Sequence, residues 1–111
     1  MTETINEPKS MHTMDNLSKL PKLGELCPEA TAAFWAYDKA ALADGAIPKK
    51  YKELMAIAVA LTTQCAYCIE LHRQGALKAG ATERELAEAV HVAVALRAGG
   101  GITHGTHLFQ D

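Results

Sequence analysis

Cys65, Cys68 and His72 are the residues of this chain whose types and spacing best fit reactive chemistry. They stand in the run Cys65-Ala66-Tyr67-Cys68-Ile69-Glu70-Leu71-His72. Residues at i, i+3 and i+4 share a helix face, so the two thiols and the imidazole can line one edge of a helix. A dithiol able to close on itself, beside a group that moves protons near neutral pH, is the minimal kit for thiol–disulfide exchange. Two other readings stay open at this point. The same three side chains could be zinc ligands if His91, His104 or His107 supplied a fourth. They could also be a plain structural pair with a neighbouring histidine. Attachment of haem c is excluded, because Ile69 and not histidine follows the second cysteine.

A thiol attacks as thiolate, and its reference pKa of about 8.5 leaves little anion at neutral pH. Cys65, nearest the helix start, gains from the partial positive charge of the helix terminus. Cys68 gains from His72 at i+4, and that contact favours Cys68 as the nucleophile. Glu70 lies on another face from His72 and is poorly placed to orient it. Glu53 is the better candidate. It sits amid the apolar stripe of the preceding helix, where a carboxylate wants a partner. Packing of the two helices across Thr62–Gln64 would bring it towards the cysteines.

The elements that must position these groups all read as helices. The chain has 111 residues, enough for one domain. Its apolar fraction is 49%, with only 5% aromatics, a composition that favours close-packed helices. Residues 1–20 read as a polar, mobile arm, with a short turn near Asp15 to Leu20 closed by Pro21, and residues 21–111 as the helical domain. Pro28 opens a helix that stops at Gly45, and Pro48 opens one over Lys49 to about Leu61 with Leu54, Ile57, Ala58 and Leu61 as its core stripe. A third helix over Ala66 to Ala79 carries the cysteines and ends at Gly80. Thr82-Glu83-Arg84-Glu85 has the capping-box pattern and launches a fourth. Gly99-Gly100-Gly101 is expected to break the chain before a last helix near Ile102 to Phe109. The fold class is all-α, with five to six helices.

Phe34 and Trp35 read as core or subunit-interface anchors, Cys27 as a cap-region residue, and Lys49-Lys50-Tyr51-Lys52 as a solvated helix start. A net charge of -2 argues against nucleic-acid binding, which needs a clustered basic face. No apolar run reaches the ~20 residues of a membrane span. Three cysteines behind a polar N-terminus, with no secretory leader, point to the cytoplasm.

Glu53, eleven residues, Cys65-x-x-Cys68, three residues and His72 resemble the signature of the alkylhydroperoxidase AhpD and carboxymuconolactone decarboxylase superfamily. The flanking Glu53-Leu54-Met55-Ala56-Ile57-Ala58-Val59-Ala60 and His72-Arg73-Gln74-Gly75-Ala76-Leu77-Lys78-Ala79-Gly80 agree with it, as does Ala95-Leu96-Arg97-Ala98-Gly99-Gly100-Gly101. The resemblance covers roughly Phe34 to His107. It implies an AhpD-like helical domain that assembles as a homo-oligomer, a trimer or hexamer, and needs no cofactor or metal. It also implies reduction of hydroperoxides. Cys68 would attack, Cys65 would resolve the sulfenic acid as a disulfide, a dithiol reductant would recycle it, and Glu53 and His72 would relay protons. Peroxidase members often place a histidine between the cysteines. Here Tyr67 stands there, a possible auxiliary that donates a hydrogen bond but accepts protons poorly. A lactone decarboxylase that leaves the cysteines unused, and a non-catalytic or metal-binding oligomer, are the alternative readings.

Overall fold

The computed structural model describes residues 11–110, so the first half of the arm expected over residues 1–20 lies outside the described residues. A short 3-10 turn, Met14–Lys19, leads into five helices: α1 (Leu20–Leu26), α2 (Pro28–Leu42), α3 (Lys49–Thr63), α4 (Ala66–Lys78) and α5 (Glu83–Gly105). A last 3-10 turn spans Thr106–Leu108. No strand occurs among the described residues. The all-α class is as expected.

Pro21 does not close the first turn. It occupies the first turn of α1, where a missing N–H costs nothing and the ring's fixed φ suits the helix. The expected break at Gly99–Gly101 is also absent, and α5 runs through it for 23 residues. A mid-helix glycine costs about 1 kcal/mol relative to alanine, which weakens a helix without ending it. The Thr103 hydroxyl, donating to the Gly99 carbonyl at 2.9 Å, ties that stretch together. Gly80 behaves differently. It takes φ 97° after α4, and the Ala81 N–H reaches back to the Ala76 carbonyl, a Schellman-type closure. Thr82 and Glu85 then exchange both bonds of the expected capping box.

α3 is the central element. α4 and α5 pack on it, while α1 and α2 pack chiefly on each other. Ile57, Ala76 and Ala81 form the core cluster, with Leu54, Leu61 and Leu86 packed around it. Alanine at these positions lets the helix axes approach closely, yet it buries little area per residue. Lys50 fastens α5 to α3 through Glu85 at 2.9 Å. The Glu85 carboxyl is held below its usual range, first by the Thr82 backbone N–H and then by Lys50, and the Lys50 ammonium is raised in turn.

Phe34 and Trp35 meet edge to face at 5.0 Å but remain 56% and 45% exposed, so they anchor no core within the chain. No large side chain among the described residues is fully buried.

Candidate active site

α3 ends on Gln64, whose left-handed backbone (φ 60°) turns the chain sharply into α4. A residue in that conformation is a common way to end a helix. Cys65 is the N-cap of α4, and its Sγ accepts the Cys68 N–H at 3.3 Å. The two cysteines form a disulfide with Cα atoms 5.3 Å apart. That separation lies inside the range such a bond spans.

On the next turn of α4, His72 Nδ1 lies 2.7 Å from Glu53 Oε2. Glu53, on α3, is only 4% exposed, and it is the sole buried charged side chain among the described residues. Its other oxygen accepts from Lys49 Nζ at 3.1 Å. Burying a carboxylate is costly, and two charged or polar partners at hydrogen-bond distance offset that cost. The packing of α3 on α4 thus brings Glu53 and His72 together. Arg97, a conceivable partner for Glu53, donates instead to the Thr62 carbonyl at 3.0 Å.

Lys49 is a site residue that the sequence reading misses. The helix start is solvated as expected, and its lysines also make specific bonds: Lys49 to Glu53 and to the Leu42 carbonyl, Lys52 to the Ala43 carbonyl, Lys50 to Glu85. The i,i+4 spacing of Lys49 and Glu53 is the signal that could have found it. Glu70 is engaged elsewhere, its carboxyl pushed down to about 2 by the Arg73 guanidinium and the Gln74 amide.

A cleft of about 540 Å³ opens between α2, α3 and α4. Cys68 and His72 both line it, with Ala41, Leu42, Val59 and Ala60 as apolar wall and Tyr37 and Asp38 from α2. Cys65 is not among its lining residues.

Tyr67, between the cysteines, has a different neighbourhood. Its hydroxyl accepts from Asn16 Nδ2 at 2.8 Å and donates to the Met11 carbonyl at 3.1 Å, and the His12 ring stands edge-on at 5.8 Å. The segment just before α1 is therefore strapped across the disulfide turn. Tyr67→Phe removes both hydrogen bonds. At about 1 kcal/mol each, their loss should make amides of residues 11–19 exchange up to about thirtyfold faster while α3 and α4 stay protected. Unchanged exchange there would show that the strap holds by other contacts.

No group of three or more His, Cys, Asp or Glu side chains among the described residues is arranged to hold a metal ion. Among the same residues, no helix is long and apolar enough to cross a membrane. Cys27 is exposed and unbridged, between α1 and α2.

Residues 28–111 match the model of the carboxymuconolactone decarboxylase family. The chain belongs to that family. A family member of known structure from Legionella pneumophila, solved in its apo form, is 40% identical, covers 77% of this chain and 76% of its own, and superposes with a TM-score of 0.71. A protein from Methanobacterium thermoautotrophicum is 34% identical over 78% of this chain and 97% of its own, with a TM-score of 0.73. Among curated relatives, "Uncharacterized protein 4 in cox locus" of Paracoccus denitrificans is 49% identical over 72 residues, 65% of each chain. An uncharacterised protein of Cupriavidus necator is 36% identical over 76% of this chain and 74% of its own. This chain spans just under two thirds of the Paracoccus protein's length. The family name marks descent and fold and does not itself fix a reaction for the Cys65–Cys68 pair.

Proposed function

We propose that this family member is a thiol–disulfide oxidoreductase that reduces organic hydroperoxides in the cytoplasm. The observation that carries the reading is the shared cleft of Cys68 and His72, with His72 held from behind by buried Glu53. An ionised Glu53 accepts from Nδ1–H and leaves Nε2 as the nitrogen with a free lone pair. In the reduced protein that nitrogen takes the Cys68 proton. The thiolate attacks one peroxide oxygen, the O–O bond breaks, and the products are Cys68 sulfenic acid and an alcohol that recovers the proton from His72. Cys65 then attacks the Cys68 sulfur, water leaves, and the disulfide closes. A dithiol reductant restores both thiols by exchange and leaves as its own disulfide.

The cleft supports a neutral, apolar substrate. Its lining holds Asp38 and no lysine or arginine, so an anionic lactone acid would meet repulsion there with no cationic clamp. Decarboxylation of such a substrate is accordingly the weaker reading. We also infer self-assembly, as a trimer or hexamer. Apolar side chains such as Leu96 and Ile102 stand 68% and 76% exposed. Such surface needs cover that one small core does not provide.

The test is a titration of the reduced protein with cumene hydroperoxide, followed by peptide mass analysis. Two thiols are expected to vanish per peroxide, with a Cys65–Cys68 bridge formed. Persistence of both thiols under excess peroxide overturns the reading. Light scattering on the same sample gives the subunit count.

A further inference from the structure

We propose that Gly75 is a positioning residue for the Glu53–His72 pair, required there because any side chain would occupy the carboxylate's place. Gly75 follows His72 by three residues on α4 and so shares its face. Its backbone is ordinary helix, since Gly80 is the one glycine with positive φ among the described residues. Conformational freedom is therefore not what the position needs, and a glycine inside a helix weakens it relative to alanine. The reason lies in space. A Cβ built on Gly75 would stand 2.7 Å from Glu53 Oε2, 2.8 Å from its Cδ and 3.2 Å from Oε1. The first two are distances that a Cβ does not tolerate, and the obstacle, though the end of a side chain, is a carboxylate held on both oxygens.

Glu53 has little freedom to yield. One oxygen is held by His72 Nδ1 at 2.7 Å, the other by Lys49 Nζ at 3.1 Å, and the residue is 4% exposed. The other helical glycines show the contrast. Gly99, Gly100 and Gly101 have nothing within 4 Å of such a Cβ, and Gly24 would meet only the Thr31 methyl at an ordinary 3.8 Å. Among the described glycines, only at Gly75 does the backbone lie flat on a carboxylate. Displacing that carboxylate removes the acceptor for His72 Nδ1–H, and with it the fixed assignment of Nε2 as the proton-accepting nitrogen. The last step rests on the proposed peroxidase mechanism; the geometric step does not.

The test uses Gly75→Ala in the full chain, with Gly24→Ala as the matched control. Imidazole nitrogen NMR reads the tautomer directly. Wild type and Gly24→Ala should show His72 as a single Nδ1–H tautomer, and Gly75→Ala a mixture. Peroxide-driven thiol loss should slow by about tenfold or more in Gly75→Ala only. A thermal-unfolding cycle covers the case in which Gly75→Ala folds poorly. In a Glu53→Ala background the obstruction is gone, so Gly75→Ala should raise the midpoint there while lowering it in wild type. An unchanged tautomer, or the same fall in midpoint in both backgrounds, overturns the proposal. A tautomer that depends on Gly75 in a protein that consumes no peroxide would uphold the positioning role and sink the peroxidase reading instead.

Discussion

Cys68→Ser is expected to abolish hydroperoxide reduction, lowering kcat/KM by at least about a thousandfold, or ~4 kcal/mol of transition-state stabilisation. The expectation follows from placement. Cys68 shares the cleft with His72, whereas Cys65 does not line it and caps α4. A hydroxyl at position 68 has no accessible anion near neutral pH and is not oxidised by peroxide. Cys65→Ser should differ in kind. Cys68 would still react once and stop as a sulfenic acid, trappable by dimedone, because no second thiol remains to expel water. Steady-state peroxide consumption of the two variants, read beside dimedone adduct mass, separates the roles. Full turnover by Cys68→Ser would remove the peroxidase assignment, and a lactone decarboxylase would tolerate both changes.

Glu53→Gln should cost activity and stability together. It keeps the side chain's size but loses the charge, so His72 is no longer drawn to one orientation and peroxide-driven thiol loss should fall about a hundredfold. Its amide must also place an NH₂ against either Lys49, setting donor against donor, or His72, which can accept it only with the ring proton moved to Nε2. Lys49 is 46% exposed and His72 21%, so water can partly repair the loss. The destabilisation is therefore expected at about 1–3 kcal/mol, below what a fully enclosed pair would cost, and urea unfolding measures it. A variant with native turnover would show that Glu53 serves packing alone.

Much of this arrangement could be read from the chain, and the unread parts share a cause. The stripe Leu54, Ile57 and Leu61 and the capping box at Thr82 are local patterns, and both appear as expected. Glu53 announced itself as a charge on an apolar face. Glycine misled, because its effect depends on the residues after it. Gly80 ends α4 where a new cap begins two residues on, whereas Gly99–Gly101 lie inside helix-compatible sequence and are passed through. Pro21 misled likewise, since proline closes one element and opens another with equal ease. The role of Gly75 and the strap from Met11 and Asn16 to Tyr67 depend on contacts between residues distant along the chain, which no local pattern encodes.

The cap made by Cys65 has a consequence for the electron balance of the pair. A sulfur that accepts a backbone N–H at a helix N-terminus gains more from that position as a thiolate than as half of a disulfide. Stabilising the reduced form by about 1 kcal/mol raises the two-electron potential by ~20 mV. The helix terminus thus tilts the couple towards accepting electrons, by about fivefold in its equilibrium constant.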